Sequence, residues 1–210
     1  MPTDAIFFFL VLIVSIILHE VSHGYMANWL GDPTARLAGR LTLNPLPHID
    51  PVGSVLLPAI LLFTQPITGF PFLIGYAKPV PYNPYNLPGK YDEVLVAGAG
   101  PAVNIFLALI FSGIIRFAGE GPMTELFVLV VYINLLLALF NLIPVPPLDG
   151  SKVLSGILPP PLARAYDSFR VSFERLGILS GTLVILLLFY FLFPYFSALL
   201  ISLLRLLTGL

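Results

Sequence analysis

The sequence predicts an all-α polytopic membrane protein, with about four transmembrane helices and a re-entrant segment carrying short β-strands. Three observations carry this. Of 210 residues, 58% are hydrophobic and 10% charged, against about 45–50% and about 25% in a soluble domain. Charge-free runs recur along the chain, each near the ~20 residues that a spanning helix needs. The 21 prolines concentrate within and just after two of those runs, and backbone at membrane depth breaks only against protein or a water-filled cavity. The apolar excess excludes disorder. A formal net charge of −1 leaves no basic footprint for nucleic acid. With no Cys, disulfides, thiolate-held zinc and thiol catalysis are all excluded.

The first helix is expected over 5–30. Its apolar run continues past His19 and Glu20. Asp4 stands where a signal peptide would be basic, and no cleavage site follows, so the segment reads as a retained helix. The second run, 52–77, contains Pro58 and then Gln65-Pro66-Ile67-Thr68-Gly69-Phe70-Pro71. That stretch breaks a straight helix in mid-bilayer, and the run is too short for two spans. A re-entrant hairpin is the remaining form. Three further helices are expected over 94–115, 126–148 and 176–204. Together these make one membrane-embedded domain over 1–210.

Charge counting supports the hairpin. With 52–77 folded back, Arg36, Arg40, Lys78, Lys90, Lys152, Arg164, Arg170 and Arg175 share one side, and Arg116 and Arg205 the other. Such asymmetry marks a cytoplasmic face. Five single spans would divide the same residues six to four. The preferred topology is therefore multi-pass, in the cell (plasma or inner) membrane, with both termini outside.

His19-Glu20-Val21-Ser22-His23 is an H-E-x-x-H pattern. Residues i and i+4 of a helix share a face, so both imidazoles can reach one zinc ion. Glu20, beside the first of them, is placed to act as general base. By composition alone such a pattern arises by chance in roughly one chain in a thousand for the regular motif. Ionisable groups within a membrane helix also mark a functional site. The motif lies about nine residues before the helix end, roughly 14 Å deep at the helical rise.

A catalytic zinc needs a third protein ligand and an open position. His48 and the acids are candidates, and Asp149 stands out in Asn141-Leu142-Ile143-Pro144-Val145-Pro146-Pro147-Leu148-Asp149-Gly150. Its bland reading is a cap on a new helix. Topology favours ligation, because the ends of 5–30 and 126–148 face the same side only when 52–77 is re-entrant. His48 reads as a loop histidine bonded to a local turn.

These motifs resemble, in order, the site-2 protease family of intramembrane zinc metalloproteases. His19-Glu20-Val21-Ser22-His23-Gly24 is similar to its zinc helix. Gly31-Asp32-Pro33-Thr34-Ala35 and Gly39-Arg40-Leu41-Thr42-Leu43-Asn44-Pro45, with His48, Asp50 and Gly53, are similar to the following segment of the short bacterial type. Gly75-Tyr76-Ala77-Lys78-Pro79-Val80-Pro81 resembles the return of the re-entrant element. Ala99-Gly100-Pro101-Ala102-Val103-Asn104 and 141–150 resemble the second and third core helices. No PDZ domain fits within 210 residues. The resemblance implies one zinc per chain on His19, His23 and Asp149, with Glu20 as base. It also implies Asn104 and Asn141 as contacts for substrate or transition state.

The expected activity is hydrolysis of peptide bonds in or near transmembrane segments, close to the cytoplasmic side. Partners are then a transmembrane protein substrate and the lipid bilayer, with a second copy of the chain also allowed. Arg40-Leu41-Thr42-Leu43-Asn44 alternates polar and apolar residues, and reads as a short strand whose edge holds unwound substrate. A transporter is an alternative, since broken helices suit that class, although no inverted repeat is visible. A non-catalytic zinc scaffold is another, with no use for Glu20.

Overall fold

The fold comes from a computed structural model, which describes residues 2–56, 60, 63, 77–119, 121–175 and 177–210. It is mostly helical. In chain order the helices are α1 (Pro2–Trp29), α2 (Thr34–Leu37), α3 (Asp92–Ala118), α4 (Thr124–Asn141), α5 (Asp149–Ile157), α6 (Pro160–Glu174) and α7 (Gly177–Thr208). Among the described residues, four contain segments long and apolar enough to cross a membrane: Ile6–Trp29, Asp92–Ala118, Thr124–Asn141 and Leu187–Thr208.

Helix α3 is the centre of the bundle and touches α1, α4, α5 and α7. Lipid offers apolar side chains as good a home as protein does, so association depends on close packing and small residues. Ala27 of α1, Ala97, Ala99 and Ala108 of α3 and Ala138 of α4 are accordingly buried. One core joins Ala108 and Ile115 of α3, Val131 and Leu135 of α4, and Phe196 and Leu200 of α7. Arg116, at the end of α3, donates from Nε to Leu207 O at 2.6 Å and also reaches Leu206 O. The ends of α3 and α7 therefore lie together.

The opposite end carries the connections. Lys78 N donates to His48 O at 2.8 Å, so the chain on either side of 57–76 comes back to one place. Asp32, fully buried just past α1, accepts from Asn83 N and Asn86 Nδ2 at 2.6 and 2.7 Å, and from the amide and hydroxyl of Thr34. Burial alone would raise its pKa. The donors from Asn86, Thr34 and Asn83 more than offset that and hold the carboxyl below its ordinary range.

Several expectations change. No strand occurs among the described residues, and Arg40–Asn44 is bend and irregular chain. Arg40 turns inward instead, donating from Nη2 to Lys78 O at 2.8 Å and Pro79 O at 3.3 Å. The alternating pattern therefore offers no strand edge to substrate. Of the expected re-entrant segment 52–77, only a π-helical turn at Pro51–Leu56 and a few isolated residues are described. Pro58, Pro66 and Pro71 lie outside the described residues. The helix expected over 126–148 stops at Asn141. Pro144, Pro146 and Pro147 follow, and proline cannot donate the bonds that would continue it. Two amphipathic helices follow, α5 where the bland reading of Asp149 expects a new helix and α6 with no counterpart in that reading. Tyr166 of α6 donates to Pro144 O at 2.8 Å, which ties them to the proline loop.

Candidate metal centre and active site

Each functional side chain owes its place to a specific local cause. His19 and His23 sit one turn apart on α1, with ring centroids 4.7 Å apart. Asp149 is the first residue of α5, following extended Leu148. It begins the helix without capping it, since Leu148 holds the cap position with no side-chain cap bond, and it reaches across to α1. Its Oδ2 lies 3.1 Å from His19 Nε2 and 3.3 Å from His23 Nε2. Metal bonds of about 2.0–2.1 Å at tetrahedral angles place neighbouring ligand atoms about 3.3 Å apart. The observed separations match such an edge.

The hydrogen bonds fix which nitrogens carry protons. His23 Nδ1 lies 2.7 Å from Val96 O. A carbonyl only accepts, so Nδ1 donates, and neutral His23 presents a bare Nε2. His19 Nδ1 lies 2.6 Å from Asn104 Oδ1, which likewise leaves its Nε2 as an acceptor. Both Nε2 atoms thus lie within 3.3 Å of one Asp149 oxygen. With both imidazoles neutral, such a group suits a bound cation.

Gly100 provides the room. A Cβ there would fall 2.5 Å from His23 Nε2 and 2.6 Å from His19 Nε2. The requirement is close approach, since the residue lies inside α3. The following Pro101 leaves the carbonyl of Ala97 without its helical donor, and the neighbouring carbonyl of Val96 serves His23. Gly150 has a related role. A Cβ on it would meet Leu142 O at 2.2 Å, so only glycine lets α5 start against the proline loop.

Glu20 belongs to the same cluster as the two histidines, with candidate ligand atoms within 4.8 Å. Its Oε2 accepts from Val80 N at 3.0 Å. Val80 stands between Pro79 and Pro81, so this is the one N–H of that tripeptide. Glu20 is thereby aimed by the chain that follows 57–76.

The structure brings His19, Glu20, His23 and Asp149 together and places the other candidates differently. Asn104 is fully buried behind His19, with Nδ2 donating to Asn134 Oδ1 at 2.8 Å. It supports the imidazole and has no surface for substrate. Asn141 ends α4, partly exposed, and donates to Leu137 O at 2.9 Å in its own helix. His48 is buried away from the cluster and bonds Thr42 O through Nε2 at 3.0 Å. Asn134, Ser15, Gly100 and Val80 were not singled out from sequence. Asn134 carried a usable signal, as a polar residue within an apolar spanning run.

The comparisons with known proteins point to zinc metalloproteases. Residues 113–188 match the family described as Peptidase family M50. "Putative zinc metalloprotease YwhC" of Bacillus subtilis (strain 168) is 39% identical over 161 residues, covering 71% of this chain and 68% of that protein. "Putative zinc metalloprotease Rip2" of Mycolicibacterium smegmatis is 32% identical over 157 residues, covering 73% and 58%. The same-named protein of Mycobacterium tuberculosis (strain Erdman) is 29% identical over 177 residues, covering 81% and 66%. The chain thus spans less than two thirds of the Rip2 proteins it matches. No solved structure matches it.

Proposed function

Because this chain belongs to peptidase family M50, the site-2 protease family of zinc metalloproteases, we propose that His19, His23 and Asp149 hold the zinc and that Glu20 is the catalytic base. The observation that carries this is that one Asp149 oxygen lies 3.1 and 3.3 Å from the Nε2 atoms of His19 and His23, beside a glycine with no side chain to fill the space. When bound there, zinc supplies Lewis acidity, bringing the pKa of water toward neutrality and polarising a carbonyl.

The chain's own groups do the rest. Glu20 takes a proton from the attacking water and returns it to the leaving amine. The Val80 amide holds one carboxylate oxygen and leaves the other for that transfer. Asn141, at the end of α4 and one loop before Asp149, is the residue offered to the substrate carbonyl. It must first release Leu137 O. Asn104 and Val96 O keep both imidazoles facing the carboxylate.

The substrate is a membrane protein, cleaved in or near a transmembrane segment. The site lies against a spanning helix, its motif centred eight residues before the end at Trp29, roughly 12 Å by the helical rise. The chain crosses the membrane four times, with 30–91 and the α5–α6 pair on the cytoplasmic side and both termini outside. The two flanks of 57–76 meet on that side, where Lys78 N donates to His48 O. One domain over 1–210 then contains the whole site.

Replacing Glu20 with Gln tests the assignment. Zinc content should remain at one per chain, while cleavage of a transmembrane substrate falls at least 100-fold, the lower range for a lost general base. Equal cleavage by both proteins would remove Glu20 from the mechanism. It would also favour a scaffold or transporter.

A further inference from the structure

Three helices bury a polar chain in the middle of the bundle, and its far end has no role in the mechanism above. Asn134 of α4 and Asn104 of α3 are fully buried, and Ser15 of α1 nearly so. Polar groups in a membrane interior are costly unless bonded, so three together call for an explanation. Their hydrogen bonds run in one direction only. Asn134 Nδ2 lies 2.9 Å from Val130 O and 3.0 Å from Ser15 Oγ. The carbonyl can only accept, which fixes Nδ2 as donor and Oδ1 as acceptor. Asn104 must then direct Nδ2 toward Asn134 Oδ1, at 2.8 Å, with Ser15 O at 3.5 Å on the same nitrogen. Its Oδ1 is left for His19 Nδ1 at 2.6 Å.

The geometry points to Asn134 as a positioning residue for the metal centre. Through Asn104 it sets the tautomer of His19, and so commits Nε2 to the face shared with His23 and Asp149. An amide has two near-isosteric ends. Without Asn134, only the long 3.5 Å contact to Ser15 O opposes turning of the Asn104 NH₂ toward His19. His19 would then have to accept at Nδ1 and carry its proton on Nε2, where a ligand cannot carry one. The partner of a ligating imidazole's second nitrogen typically changes metal affinity 10–100-fold. Asn134 acts one step further out.

This rests on the zinc assignment to His19, and the test separates the two. Zinc affinity is measured by chelator competition on the full chain in detergent, with Asn134→Leu, Asn134→Ala, His19→Ala and Ser112→Ala beside the native protein. Asn104→Asp is added alone and with Asn134→Leu, because a carboxylate accepts from Nδ1 in either orientation. The expected result is about 10-fold weaker zinc binding in Asn134→Leu and Asn134→Ala, with Ser112→Ala unchanged. In the Asn104→Asp background, Asn134→Leu should have no further effect, a rescue that a merely structural asparagine would not show. With three His in the chain, ¹⁵N-histidine NMR of the zinc-loaded protein adds a direct readout. His19 and His23 should be protonated at Nδ1, and His48 at Nε2 because it donates to Thr42 O. A native His19 protonated elsewhere overturns the inference whatever the variants do. So does zinc affinity that is unchanged in Asn134→Leu and Asn134→Ala, or equally lost in both Asn104 backgrounds. If His19→Ala binds zinc as well as the native protein, the zinc assignment itself has failed.

Discussion

At the scale of single residues, the metal centre depends as much on what is missing as on the ligands. Zinc bonds tolerate only about ±0.2 Å, and a Cβ at Gly100 would intrude to 2.5 Å from an imidazole nitrogen. Gly100→Ala should therefore leave zinc content well below one per chain, under dialysis that leaves the native protein loaded. Metal analysis of the purified variant checks this. Asp149→Ala should likewise lose zinc, and His48→Ala should keep it. His48 is bonded to Thr42 O and lies apart from the cluster. Retention of zinc by Asp149→Ala would refute the third ligand.

At the scale of elements, the segment after 57–76 connects the loops to the base. Val80→Pro deletes the N–H that Glu20 accepts, along with the valine side chain. Cleavage should fall about 10-fold or more, as expected when a catalytic group loses its orientation, with zinc content unchanged. Val80→Ala keeps the N–H and is the control. Its own cost is reduced packing against Gly24, which the valine side chain closely approaches. The Asp32 junction predicts a pH effect. Its carboxyl is held below the usual range in the folded chain, so its contribution is complete above the unfolded value near 4. That contribution is lost as pH falls through the lower folded value. Thermal stability should drop on acidification in the native protein. Asp32→Asn should be weaker at neutral pH and flatter below it.

At the scale of the whole molecule, the bundle makes a topological prediction that the sequence is well suited to test. There is no native Cys, so single-cysteine variants start from a silent background. Cysteine at Lys90 or Arg164 should react with an impermeant reagent only from the cytoplasmic face. Cysteine at Gly121 or Leu210 should react only from the other. Labelling of all four from one side would break the four-span arrangement. The bond from Arg116 to Leu207 O already brings together the ends of α3 and α7, and the two basic residues of the sparse side flank that junction.

Much of this was legible in the residues. The spacing of His19 and His23 needs only helical geometry, and the apolar runs need only a bilayer, so both are local properties that a sequence carries openly. The spans of α1, α3 and α7 were accordingly read to within a few residues. Charge asymmetry put the ends of 5–30 and 126–148 on one side, and the structure brings Asp149 within 3.3 Å of both histidines. The strand over Arg40–Asn44 was misread because alternation also arises when one side chain, here Arg40, turns inward to bond carbonyls at Lys78 and Pro79. Other features exist only once distant segments meet. Gly100 as a metal-sized gap, Val80 as the anchor of Glu20, and the Asn134–Asn104–His19 direction link positions from 30 to 85 residues apart. Sequence determined the chemistry of the donors, because ligand type and helical period are local. Tertiary structure decided which way each polar group points, because hydrogen-bond direction is set by the partner across the helix interface.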